Sequence, residues 1–135
     1  MGGAAVSAID RIKQKLDAHP DLRYRTTANS VEVEAPSPGG FSVRLSTDSN
    51  EYTVHFDGWH EHFESEADAL NCFAYGLSGQ CRLAVLIRGH SEVRFTLEHL
   101  EDGAWKADSS TGLLLQPFWR ESRIEYRHNP RAQAF

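Results

Sequence analysis

Residues 52–79, YTVHFDGWHEHFESEADALNCFAYGLSG, change their hydrophobic period once, and the place where they do so decides the fold. Before Ser65 the apolar residues alternate: Tyr52, Val54 and Phe56 lead into Asp57-Gly58, and Trp59 and Phe63 lead out. Period-two alternation on both sides of an Asp-Gly step predicts an antiparallel hairpin with a two-residue turn, both turn residues at positive φ. From Ser65 the spacing becomes helical. Ser65 can cap the helix start with Asp68 three residues on, Ala67, Leu70, Phe73, Ala74 and Leu77 form an apolar stripe, and Gly79 supplies a stop. A hairpin running into an amphipathic helix predicts an α+β protein whose helix packs on one face of an antiparallel sheet.

The turn also sets a register with a chemical consequence. With Asp57 and Gly58 as the turn, Phe56 pairs with Trp59, His55 with His60, Val54 with Glu61, and Thr53 with His62. His55, His60 and His62 then share one face, and Tyr52, Val54, Phe56, Trp59 and Phe63 share the other. Opposed Cβ atoms lie about 5 Å apart and diagonal ones about 7–8 Å. Three imidazoles so placed could hold a transition metal such as zinc and leave a fourth position for water. Between Arg44 and Asp68 there are seven carboxylates against Arg44 alone, a field favouring a cation. Glu64 is the candidate general base of such a site, because alternation turns Glu61 to the opposite face and Asp57 is used by the turn. The plainer reading is a solvated sheet face carrying histidines that need no ligand.

Toward the N-terminus, Val6, Ile9, Ile12 and Leu16 predict a helix from Gly3 to about Ala18, ended by His19-Pro20. VEVEA (Val31 to Ala35) and FSVRL (Phe41 to Leu45) read as strands joined by the turn residues PSPGG. Toward the C-terminus, CRLAVLIRG is apolar on both alternating sets, which predicts a central strand covered on both faces. EVRFTLEHL points Val93, Phe95 and Leu97 inward. His99 continues that set and reads as a buried or half-buried histidine bonded to backbone. Asp102-Gly103 marks a second hairpin ahead of Trp105. SRIEYRH, with charges on one face, suits a sheet edge. Together these segments predict a single α+β domain over residues 1–135: a twisted antiparallel sheet of about seven to eight strands packed against two helices, in the order helix, β-meander, helix, β-meander.

One segment resists that pattern. GLLLQPFWRE clusters Leu113, Leu114, Leu115, Phe118 and Trp119 around Pro117, too many apolar groups for one alternating face. Burial in the core is the base expectation, with Trp105 and Trp119 as core or cavity-lining residues. The alternative is an exposed patch at a partner or homodimer contact. Trp105, Phe118 and Trp119 are therefore the candidate ligand- or partner-binding residues.

Composition narrows the function classes. At 135 residues, 40% hydrophobic and 24% charged, the chain has an ordinary globular make-up. A net charge of -5 argues against a nucleic-acid binder, which needs a basic face to displace counterions. No polybasic run, signal-peptide pattern or membrane-length apolar run is present. Two cysteines, Cys72 and Cys81, suggest no disulfide framework, and the expected location is cytoplasmic. GxSxG, P-loop, dinucleotide and zincin motifs are all absent. The leading expectation is a small intracellular, non-catalytic binding or interaction module with an aromatic-lined concave face. It would take an unknown small ligand or protein, or self-associate, and would use neither nucleic acid nor membrane. The rival is a metal-dependent, hydrolase-like enzyme using His55, His60 and His62.

Overall fold

The computed structural model describes residues 7–113 and 116–130. The fold is α+β, with helix α1 (Ala8–Asp17), a five-stranded antiparallel meander, helix α2 (Glu66–Gly76) and a four-stranded antiparallel sheet. The first sheet runs in chain order through β1 (Tyr24–Thr27), β2 (Ser30–Val33), β3 (Val43–Asp48), β4 (Glu51–Phe56) and β5 (Trp59–Phe63). The second contains β6 (Cys81–Arg88), β7 (Ser91–Glu101), β8 (Ala104–Gly112) and β9 (Ser122–His128), in the spatial order β8-β7-β6-β9. Two sheets thus replace the single one expected, and the short β1, which carries little alternation of its own, brings the described strands to nine. Among the described residues no helix is long and apolar enough to cross a membrane.

Both helices start where side chains can accept their free amides. Ser7 caps α1 through Asp10 N (3.1 Å), and Ser65 caps α2 through Asp68 N (3.3 Å). Helix α1 therefore begins at Ala8, later than Gly3, and buries Ile9, Ile12 and Leu16 as its spacing predicts. Val6 lies outside the described residues. Helix α2 departs from the expected stripe: Ala69, Phe73 and Gly76 are its buried residues, while Ala67 is exposed. The reason is close approach. Gly76 backs directly onto the Phe56 ring, where a Cβ would overlap ring carbons, so small residues turn toward the bulky sheet.

One apolar cluster joins the two sheets. Val31, Leu45 and Val54 form one buried cross-strand row of the first sheet, and Val33, Val43, Phe56 and Trp59 form the next. They meet α1, α2 and the inner residues of β6, Cys81, Leu83, Val85 and Ile87. Asn129, the one buried polar side chain among the described residues, stitches this core. Its Oδ1 accepts from Phe41 N (2.8 Å) and its Nδ2 donates to Gly76 O (3.0 Å), so the amide is satisfied at both ends.

Among the described residues, the helices and the first sheet cover the second sheet on one face only. Along β6 burial alternates strictly, with Arg82, Ala84, Leu86 and Arg88 half-buried on the outer side. The strand expected to be covered on both faces thus has one face that no other described helix or sheet covers. Because β8 and β9 are opposite edges of this sheet, the chain between them must cross the ends of β7 and β6. Residues 113 and 116–121 lie between the two strands. Leu113, Phe118 and Trp119 are exposed there, Trp119 at 80% of its surface, so burial does not account for them. Leu114 and Leu115 lie outside the described residues.

Candidate functional site

The histidine hairpin has the register expected from the sequence: Phe56 opposite Trp59, His55 opposite His60, and Thr53 opposite His62. The three imidazoles are neighbours on the outer face, with ring centroids 5.4 Å apart for His55–His60 and 5.4 Å for His60–His62. The turn is built differently from expectation. Positive φ falls on Asp57 (49°) and not on Gly58. Gly58 is needed for space instead, since a Cβ there would overlap the Phe95 ring of β7. Asp57 does more than turn the chain. Its carboxylate accepts from Ser42 N (2.9 Å) and Ser42 Oγ (3.0 Å), and its other oxygen meets Arg127 Nη1 at 2.8 Å.

Arg127 is the residue that sequence reasoning missed in this region. From β9 it bonds Asp57, Glu92 (3.0 Å) and Glu125 (2.8 Å), which ties the first sheet's hairpin to the second sheet. Despite partial burial, these three carboxylates raise its pKa above the ordinary arginine value. Trp59 strengthens the same seam by donating its indole Nε1 to Ser109 Oγ on β8 (3.0 Å). No local motif marks these partners; they are far apart in the chain and meet only when the sheets do.

A cation already sits beside the histidines. Arg25, Glu32, Arg44, His55 and His60 form one cross-strand row, and Arg44 Nη2 lies 3.4 Å from His55 Nδ1. Burial, then Arg44, then the two other histidines push the His55 pKa down to about 4, so the ring is neutral at pH 7. His62 Nδ1 is bonded to Thr53 Oγ1 (2.9 Å). A divalent ion here would have to sit against the Arg44 guanidinium, at high electrostatic cost. Among the described residues, no group of three or more His, Cys, Asp or Glu side chains is placed to hold a metal ion. Glu64 lies just past β5 and is exposed, and Glu61 turns to the other side as alternation requires.

An aromatic-lined hollow exists at the sheet junction. Trp59, Glu61, Phe63, Cys72, Tyr75 and Asp108 line a shallow cavity of about 350 Å³ between β5, α2 and β8. Burial, with Glu61 adding to it, raises the Cys72 thiol to about 12, and burial also leads in raising the Tyr75 phenol to about 12. Neither group is an activated nucleophile at neutral pH. Trp59 is only 2% exposed, which leaves little of its ring for a ligand. Trp105, Phe118 and Trp119 are not part of this cavity.

Trp105 and Phe118 stand instead with the outer face of the second sheet, and Trp119 is exposed next to Phe118 in the chain. At one end Arg82 is sandwiched between Trp105 (4.6 Å to the ring centroid) and Tyr126 (4.0 Å), and it pairs with Glu98 at 2.6 Å. At the other end Arg88 lies over Phe118 (5.2 Å), with its Nε donating to Gln116 Oε1 (3.3 Å). Between these two arginine–aromatic stacks run the rows Ser110–Thr96–Ala84–Tyr126 and Gly112–Arg94–Leu86–Ile124. Small groups form much of this floor, while Ile124 and Tyr126 are more than half exposed. Strand β9 is an edge, as its charges suggested, but its apolar side is the one turned outward and Arg127 the one turned in. His99, half-exposed on β7, bonds the Glu101 carboxylate (3.0 Å) and not backbone.

Comparison with protein-family models, with curated proteins and with solved structures finds no match.

Proposed function

We propose that the chain is a small non-catalytic binding module that engages its partner through the outer face of the second sheet. The observation that carries this reading is the exposure of Ile124 (55%) and Tyr126 (51%) on the outer face, with Phe118 (65%) stacked on Arg88 at its end and Trp119 (80%) next to Phe118 in the chain. Soluble domains seldom leave such groups together in water without a partner to cover them. The arginine stacks hold Trp105, Tyr126 and Phe118 in place before anything binds, which lowers the ordering cost of association. Free Cys72 and Cys81 fit a reducing compartment, and the proposed location is the cytoplasm.

Trp119→Glu tests the reading. Its side chain is largely in water, so circular dichroism should be unchanged while retention of a random peptide library on the immobilised protein is lost. Loss of fold would instead make Trp119 a structural residue and remove the docking face.

A second reading is a zinc-dependent, hydrolase-like enzyme built on His55, His60 and His62. The shared face of the three histidines favours it, and Arg44 in the same row opposes it. Elemental analysis of untagged protein against a His60→Ala/His62→Ala variant decides between them. We expect no stoichiometric metal; near-equimolar zinc that disappears in the variant would make the enzyme the leading reading.

A further inference from the structure

The charges around the exposed face are not balanced. Among the described residues, Arg88, Arg94, Arg120 and Arg123 have no carboxylate within ion-pair distance, although the chain as a whole carries -5. Three of them surround the β6–β7 turn at the end of the sheet, Arg123 reaching it from the inner side of β9, opposite Ile87. Arg123 Nη1 donates to Gly89 O (3.3 Å), the Arg120 side-chain carbons lie beside Gly89, and Arg88 closes β6 next to it. Arg94 shares its row with Leu86 and Ile124. Glu121 is the carboxylate within this segment, exposed and in no ion pair. The patch therefore keeps an excess of positive charge in an acidic protein.

Arg88 is also oriented. Arg88 uses Nε on Gln116 and its flat face on Phe118, so its terminal nitrogens remain for an incoming acceptor. A guanidinium held in this way matches a carboxylate better than a freely rotating one. From Arg82 to Arg88 the outer face of β6 spans about 20 Å at 3.3 Å per residue, room for a short extended segment.

We infer that this face takes an acidic, apolar peptide segment of another protein. Its carboxylates would meet Arg88, Arg94 and Arg120, and its apolar side chains would lie against Leu86 and Ile124, with the exposed Trp119 within reach at the end of the segment. The inference rests on the proposed docking face and adds the chemistry of the occupant. A second copy of the chain fits less well, because a two-fold contact through this face would oppose the arginines of one copy to those of the other. A nucleic acid fits less well too, because the chain's overall negative charge repels a polyanion and the sheet floor is aliphatic.

The test is selection from a random twelve-residue peptide library displayed on phage. It is run against the wild-type chain, Trp119→Ala, and an Arg88→Gln/Arg94→Gln/Arg120→Gln/Arg123→Gln variant, each checked by circular dichroism. Wild type should enrich peptides in which Asp and Glu outnumber Lys and Arg beside Leu, Phe or Trp. A synthetic copy of the strongest should bind Trp119→Ala and the four-arginine variant at least tenfold more weakly. Should that variant fail to fold, Arg94→Gln/Arg120→Gln and a rise from 0.1 to 0.5 M NaCl serve instead, each expected to weaken binding at least fivefold. Trp119-dependent peptides without an acidic bias would overturn the acidic occupant and leave the docking face standing. No Trp119-dependent peptide at all would overturn both. Tighter binding of a twelve-nucleotide oligothymidylate than of any selected peptide would also overturn the inference. So would a wild-type dimer in sedimentation that Trp119→Ala dissociates, with no peptide enriched.

Discussion

The two sheets have opposite kinds of outer face. On the first, the row Arg25–Glu32–Arg44–His55–His60 carries charges and imidazoles that bond one another. On the second, aromatic rings and aliphatic groups stand exposed between arginine stacks, and four arginines have no carboxylate partner among the described residues. The histidine-rich face is the more eye-catching in the sequence, yet it is largely polar and partly bonded within itself, Arg25 to Glu32 and Arg44 to His55, with the buried Arg44 Nε left without a hydrogen-bond partner among the described residues. The less conspicuous face is the one left with unused apolar surface and unused charge. A functional surface is better recognised by what its groups still lack than by which residue types it contains.

This contrast requires the two sheets to be locked together, and the largest expected effects lie at their seam. Gly58→Val should cost about 2–3 kcal/mol through overlap with Phe95, read as a lower urea midpoint. In a Phe95→Ala background the same substitution should cost far less. An equal cost in both backgrounds would mean that turn geometry, not space, makes glycine necessary. Next, Arg127→Met leaves Asp57, Glu92 and Glu125 without their shared cation and should cost about 2 kcal/mol, since the Asp57 contact is partly shielded from solvent. A change below about 0.5 kcal/mol would show that the hairpin is held by packing alone.

The polar face should reveal itself through pH. The His55 pKa in the folded chain, about 4, lies below the ordinary 6.5, so the unfolded chain takes up the proton first. The stability this group contributes is complete above pH 6.5 and is lost as pH falls from 6.5 toward 4. His55→Gln should flatten that part of the urea-midpoint profile. An unchanged slope would mean that burial and Arg44 do not hold the ring neutral. The smallest effect belongs to Trp119: Trp119→Ala should move stability by no more than about 0.5 kcal/mol, as expected of an exposed side chain with no partner among the described residues. A larger loss would place Trp119 in the fold and weaken the contrast between the two faces.

The sequence was most legible where neighbours decide the structure. Asp57-Gly58 with flanking alternation yields the hairpin register, and Ser65 with Asp68 yields the start of α2, because both depend on residues a few positions apart. What depended on tertiary packing was not legible. Leu83, Val85 and Ile87 against Ala84 and Leu86 announce two apolar faces, but no local pattern says that only one is covered by the described elements. Gly58 was recognised as necessary for the wrong reason, since Phe95 reaches it only when the sheets meet. The roles of Arg127 and Asn129 had no local signal, because their partners lie on elements distant in the chain. For the candidate site, the shared face of His55, His60 and His62 was legible and the intervention of Arg44 was not. Trp105, Phe118 and Trp119 could be singled out, but not the arginines that stack on two of them.

The most direct test of the central claim is amide chemical-shift mapping of the isotopically labelled chain, titrated with the strongest library-selected peptide. The account expects the largest perturbations on the outer face of the second sheet, at Leu86, Arg94, Ile124 and Tyr126, with His55, His60 and His62 unchanged. Perturbations centred on those three histidines, with the second sheet silent, would contradict it.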